Sequence, residues 1–227
     1  MRPGARDPTL GSMMSVVAPF RSNPELLVLH AVRLLGFADG VKVAARFDLD
    51  PAEVSELLAD FEAFGWVTHS RFGGLGGWAL TDAGRAQDTR QLAAELEAAG
   101  ARAAVAAGLA AFEPLNARFL EAVTRWQLHP MTGDPLAAND HSDPRWDDRV
   151  ITSLAELGTA LDPLCEGLST ALERFGGYSA RYTAAADRVR RGQVSWIDGL
   201  GIDSCHVVWI QLHEDLLASL GQDRATH

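Results

Sequence analysis

Residues 41–88 hold the feature that most restricts the fold. Two helical stretches are joined by a very short turn and followed at once by a glycine-centred hairpin. Asp50 is a favourable helix N-cap and Pro51 a favourable first helical residue. From there Val54, Leu57, Leu58, Phe61 and Phe64 recur at helical spacing, so a helix is expected over 51–64, ended by Gly65. A shorter helix, Val41 to Phe47, precedes the turn Asp48-Leu49-Asp50-Pro51. Trp66 to Phe72 alternates as a strand does, Gly73 to Gly77 reads as the hairpin loop, and Trp78-Ala79-Leu80 as the return strand. Thr81 then caps a new helix starting Asp82-Ala83-Gly84-Arg85. Upstream, a helical pattern from Pro24 to Leu35 is broken by Gly36 and Asp39-Gly40.

The order is helix, helix, turn, helix, hairpin, helix, which is that of a winged helix-turn-helix module over residues 24–88. Leu-Asp-Pro-Ala-Glu-Val-Ser-Glu-Leu-Leu (49–58), Gly-Trp-Val (65–67) and Trp-Ala-Leu-Thr-Asp-Ala-Gly-Arg (78–85) resemble the MarR-type winged helix, the last segment resembling its strand-to-helix junction after the wing. The resemblance covers about 65 residues. It implies a DNA-binding transcription regulator that pairs as a homodimer through terminal helices. Two further segments, Asn-Asp-His-Ser-Asp-Pro (139–144) and Asp-Ser-Cys-His-Val-Val-Trp-Ile-Gln-Leu-His-Glu-Asp-Leu-Leu (203–217), resemble a group of actinobacterial MarR-like regulators with an extended helical C-terminal part.

Beyond residue 88 the pattern is helical throughout. An Ala-rich helix is expected to about Ala111, another from Pro114 through Trp126, and a polar loop over 129–143. Asp143-Pro144 starts a helix carrying Val150, Ile151, Leu154, Leu157, Leu161, Leu164 and Leu168, with Pro163 as a kink or break and Gly176-Gly177 as its stop. Ser179 is expected to cap a helix to Arg191, and Asp203 to cap the last one, Ser204 to Leu220, ended by Gly221. The expected class is therefore mainly α with a small β-hairpin wing: an N-terminal arm (1–23), a winged helix-turn-helix domain (24–88) and a helical C-terminal domain (89–227) for ligand binding and dimerisation. The apolar runs are far shorter than the roughly 18 residues of a membrane span, and residues 1–20 lack a signal-peptide core, so a cytoplasmic protein without membrane contact is expected.

Charge complicates the DNA reading. The chain carries a net −10, and residues 24–88 hold five Lys/Arg against ten Asp/Glu, a net of −5. The recognition helix, 51–64, has four acids and no base; its outward positions are Ala52, Glu53, Ser55, Glu56, Ala59 and Asp60. Duplex affinity comes largely from Lys and Arg on phosphates, so acids there repel the backbone. Lys42, Arg46, Ser55 and Arg71 are the side chains placed to meet DNA, with Arg2, Arg6 and Arg21 of the arm as possible support.

Three polar groupings mark the C-terminal half. Asp203, His206, Ile210 and His213 fall on one helical stripe beside Glu214. His206 and His213 are two turns apart, roughly 10 Å, too far to ligate one metal directly. Neither a metal nor a cofactor is expected, and a pair of histidines hydrogen-bonded at an interhelix seam is the simpler account. In the loop, Asp140, His141 and Arg145 could form a pocket lid, although Asn, Asp, Ser and Pro also favour turns and caps. Cys205 adjoins His206, but neighbouring helix residues point about 100° apart, and a buried inert thiol is expected there and at Cys165. Trp126, Trp146, Trp196 and Trp209 are expected mostly in the core.

Besides a plain protein-interaction module using the acidic face, two functions remain open on these residues. One is a regulator whose C-terminal domain binds a small, partly apolar ligand through Asp140, His141, Arg145, His206, Trp209 and His213. The other is an enzyme or binding protein on a winged-helix scaffold that no longer binds DNA, with His141, His206, His213, Asp203 and Glu214 as its catalytic group and histidine as general base.

Overall fold

The computed structural model describes residues 18–131 and 134–222. Residues 1–17, with Arg2 and Arg6 of the expected arm, lie outside them. Asn23 accepts a hydrogen bond from the Glu25 backbone and starts α1, Pro24–Leu35. Asp39 caps α2, Gly40–Arg46, and Asp50 caps α3, Pro51–Ala63, accepting from the backbone N–H groups of Ala52 and Glu53. A single antiparallel hairpin follows, β1 (Val67–Phe72) and β2 (Leu75–Leu80). Then come α4 (Asp82–Ala99), α5 (Arg102–Gln127), α6 (Pro144–Ala171), α7 (Tyr178–Arg190) and α8 (Cys205–Leu220). The chain is thus mainly helical with one small two-stranded sheet.

The hairpin is tighter than expected. Its turn is Gly73-Gly74 alone, both with positive φ (56° and 83°), as a two-residue turn of the right twist requires. Gly76 and Gly77 belong to β2, paired with Arg71 and Ser70. Gly77 is small for a reason: a Cβ there would lie 2.7 Å from the Phe37 ring. Trp78 also exchanges two backbone hydrogen bonds with Ala38, tying the α1–α2 connection to the sheet. Gly84 lets α4 start against the hairpin entry, because a Cβ there would meet the Trp66 carbonyl at 1.9 Å.

Several expected boundaries move. The Ala-rich helix ends at Gly100, and α5 runs unbroken through Pro114 instead of beginning there. Pro163 likewise lies inside α6. Each proline forgoes a backbone hydrogen bond, and the long packing of α5 along α6 carries the helices past them. The α6 helix stops at Ala171, before Gly176-Gly177, and a 3-10 turn at Glu173–Phe175 fills the gap. Ser179 does not cap α7; Gly177 occupies that position, and Ser179 bonds to Asp162 instead. Asp203 does not cap α8 either: the Ser204 hydroxyl accepts from Val207 N–H.

Two apolar cores result. One joins α1, α2 and α3 through Val28, Leu29, Val32, Val43, Val54, Leu58 and Phe61. The other runs through α5, α6, α7 and α8 and includes Phe112, Phe119, Leu154, Leu161, Tyr182 and Trp209. Trp126 and Trp209 are buried, while Trp146 and Trp196 are only partly so. Between the cores, Leu26, Leu92 and Ala218 make a small apolar bridge. Most of what joins the two halves there is charged.

Candidate functional site

On α1, His30 and Arg33 are three residues apart and share a face. That face meets α4 and α8. His30 is wholly buried, with Nδ1 3.2 Å from Asp88 Oδ1 and Nε2 3.1 Å from Asp215 Oδ1. With a hydrogen-bonded carboxylate at Nδ1 and a second carboxylate in ion-pair reach of Nε2, the charged imidazolium is the form that fits. Burial is the largest influence and lowers the His30 pKa, but Asp88 and Asp215 together outweigh it and hold it above its ordinary value of 6.5. Arg33 donates from Nη1 to Asp88 (3.1 Å) and from Nε to Glu214 (2.8 Å). Arg174, in the 3-10 turn, donates to Glu95 of α4 (2.7 Å), to Ser219 (2.7 Å) and to Asp215. Tyr178 donates its hydroxyl to Asp215 at 2.9 Å. Burial acts to raise the Asp215 pKa, yet Arg174 and His30 override it and keep the carboxyl well below its usual range.

Beside this seam opens a cleft of about 710 Å³. One wall is Leu35, Phe37, Ala38, Lys42 and Arg46, from α1, α2 and their connection. The other is Arg181 of α7, the stretch Leu200 to Asp203, and Val207 and Gln211 of α8. A second cleft of about 570 Å³ shares Arg46 and is lined also by Arg21, Ser22 and Arg174. The Arg46 guanidinium stands between two rings, 4.4 Å from the Phe47 centroid and 4.4 Å from that of Tyr178. Its Nε and Nη2 are shielded from solvent and have no hydrogen-bond partner among the described residues. Arg181 also lies by the Tyr178 ring, at 5.8 Å. Its Nε and Nη2 grip Asp203 at 2.8 and 2.7 Å, and Nη2 reaches Gln211 at 2.7 Å. The hydrogen bond from Arg181 is the main reason the Asp203 carboxyl sits below its usual pKa range.

The side chains expected to meet DNA separate. Lys42, Ser55 and Arg71 are exposed, whereas Arg46 is turned inward between its two rings. Arg33 is consumed by the seam. The outer face of α3 shows Glu53, Glu56, Asp60 and Glu62, all exposed.

The expected C-terminal constellation is dispersed. His141, in the left-handed region (φ 57°), packs on Trp126 at 4.2 Å with the rings tilted and lies 3.0 Å from Asp147 Oδ2. Asp140 accepts from the Ser142 backbone and stays with the loop, and Arg145 is exposed in the first turn of α6. His206 stacks on Phe119 at 6.2 Å, two helical turns of α5 before Trp126, and His213 packs on Phe112 at 5.3 Å. Trp209 lies between them, 4.4 Å from the Phe119 centroid, donating from Nε1 to Asn116 at 2.9 Å. These three form an aromatic layer against α5. Asp203 is held by Arg181, and Glu214 points to Arg33 on α1. Asp203 is thus the member of that group that lines the larger cleft.

Both cysteines are buried, with their thiols pushed up to about 12 chiefly by burial, which leaves them inert as nucleophiles. Among the described residues no group of three or more His, Cys, Asp or Glu is placed to hold a metal ion. No helix among them is long and apolar enough to cross a membrane.

Sequence reasoning missed His30, Asp88, Arg174, Asp215, Arg181 and Gln211. A signal for some was present. Asp215 interrupts the apolar run Leu212, Leu216, Leu217, and His30 the run Val28, Leu29, Ala31, Val32. A charge at a core position of a helix asks for a partner, and each of these has one.

No family model matches the chain, and no curated protein or solved structure gives a significant match.

Proposed function

We propose that the chain is a winged helix-turn-helix regulator of MarR-like type that responds to a small ligand. The observation that carries this is the position of the larger cleft. One of its walls is α2, the first helix of the helix-turn-helix reading, and the other is α7, α8 and the stretch between them. A ligand wedged there touches both halves of the molecule and so can bias their relative placement. In a homodimer that bias changes the spacing of the two α3 helices, and with it affinity for paired half-sites.

A second reading is favoured by the acidic outer face of α3 and by the internal use of Arg33 and Arg46. In it the same scaffold binds the ligand and has lost affinity for DNA. Selection of genomic fragments by the purified chain at low and at moderate salt separates the two. Salt-sensitive recovery of a palindromic site supports the regulator. No recovery even at low salt removes DNA from the proposal and leaves the ligand-binding protein.

A further inference from the structure

We propose that the His30 proton is a latch: with it α1 is clamped to α8, and without it α1 swings off α8 about α4 while both halves stay folded. The latch goes beyond the ligand and DNA readings and depends on neither.

The ionic seam divides along one line. On one side Asp88 meets His30 Nδ1 at 3.2 Å and Arg33 Nη1 at 3.1 Å, both on α1. On the other, Asp215 accepts from Tyr178 at 2.9 Å and from Arg174, which also donates to Ser219 at 2.7 Å, all in the helical half. Each carboxylate keeps those partners if the two clusters part. Three polar contacts cross the line. His30 Nε2 lies 3.1 Å from Asp215 Oδ1 without hydrogen-bond alignment. Arg33 Nε donates to Glu214 at 2.8 Å, and Arg46 rests on the Tyr178 ring. Apolar cover there is slight, namely Leu26, Leu92 and Ala218.

A protonated imidazole donates at both nitrogens; a neutral one has one donor and one lone pair. The neutral ring keeps its proton at Nδ1, where the Asp88 bond is, and turns the lone pair on the Asp215 carboxylate. Two acceptors that close in a dry interior repel. The charges point the same way. His30, Arg33, Arg46 and Arg174 stand against Asp88, Glu95, Glu214 and Asp215, with Arg85 3.8 Å from Glu214 at the exposed rim. Phe47 covers the His30 ring at 6.4 Å, and α3 and the hairpin contribute the apolar Val54, Leu58, Phe61 and Val67. Loss of one proton therefore leaves a buried carboxylate uncompensated, and water relieves it once α1 leaves. Burial lowers the His30 pKa, but Asp88 and Asp215 outweigh it, so the latch is shut at neutral pH and opens as pH rises. The hinge is α4. Its start is seated on the hairpin at Gly84 and carries Asp88, while Glu95 further along stays on Arg174. Opening widens the larger cleft, whose walls are α2 and α7–α8.

Spin labels at Ala59→Cys on α3 and Ala184→Cys on α7, both exposed positions, report the separation of the halves in the full chain by double electron–electron resonance. Cys165 and Cys205 are buried, with thiols pushed up to about 12 chiefly by burial, and stay unlabelled. Between about pH 6 and about pH 10 the distance should pass from a short to a long population over roughly two pH units. The midpoint should coincide with the titration of His30 followed by NMR on isotope-labelled histidine, and far-UV circular dichroism should not change. His30→Gln cannot carry the charge and should abolish the shift. Glu214→Gln loosens the Arg33 tie and leaves both partners of His30 in place, so it should move the midpoint down by about half to one pH unit. A single distance over the whole range, a shift that persists in His30→Gln, a midpoint unmoved by Glu214→Gln, or a lengthening that comes with loss of helix would overturn the inference.

Discussion

The interiors of the two halves and the seam between them are built from opposite materials. Inside each half, contact is apolar: Leu58 and Phe61 under α3, Phe119 and Trp209 between α5 and α8. Across the seam it is ionic: His30 and Arg33 of α1, Asp88 and Glu95 of α4, Arg174, and Asp215 of α8. Apolar packing tolerates exchange at equal volume. A buried ionic group does not, since removing one partner strands the others in a dry interior. The seam is therefore the part of the molecule where register is specified and where a change of protonation can be felt.

Asp215 tests that contrast hardest, because it faces His30, Arg174 and Tyr178 at once. Asp215→Asn should lower the free energy of unfolding by about 3–5 kcal/mol in urea titration. A loss below about 1 kcal/mol would mean the seam is not the buried network described. Next is the apolar counterpart: Leu58→Ala, in the core beneath α3, should cost about 2–4 kcal/mol. The two substitutions differ in what repairs them. Leu58→Met should recover most of the loss, whereas Asp215→Leu should recover little while Arg174 and His30 remain.

A smaller effect comes from pH. The His30 pKa is raised in the folded chain, so its contribution is complete below the unfolded value of 6.5 and fades as pH climbs through the folded one. Stability should fall on going from pH 6 toward 9, and His30→Gln should flatten that slope while lowering stability at pH 6. A slope unchanged by the substitution would assign the pH dependence to other groups. Smallest of all is the exposed pair Arg118–Glu156 at 3.6 Å. Arg118→Ala should change stability by less than about 1 kcal/mol, and a larger loss would show that surface pairs matter here as buried ones do.

The helices and hairpin were readable because their signals are local. Asn23, Asp39, Asp50, Thr81 and Asp143 all cap with their own side chains, and caps answer to the next three residues only. The misplacements have tertiary causes. Pro114 and Pro163 stop a helix in isolation but not one held along a neighbour. Gly76 and Gly77 suggest loop until the Phe37 ring is seen against the second of them. Asp203 resembles a cap until Arg181 claims it.

The candidate site was much less legible than the fold. His206 and His213 shared a stripe in the sequence, but what that stripe faces is α5 and its aromatic rings. Arg46 counted among charges that could reach outward, and no local pattern foretells a guanidinium between Phe47 and a tyrosine over a hundred residues away. Local chemistry, acting within a few residues, determined from sequence alone that this chain makes eight helices and one hairpin among its described residues, and where most of them begin. Only the tertiary structure decided that His30 lies between Asp88 and Asp215 and that Arg46 and Arg181 share one cleft. Those choices depend on which distant faces are buried together, since the pairing of a charge in a dry interior is set by whatever the fold brings within about 4 Å of it.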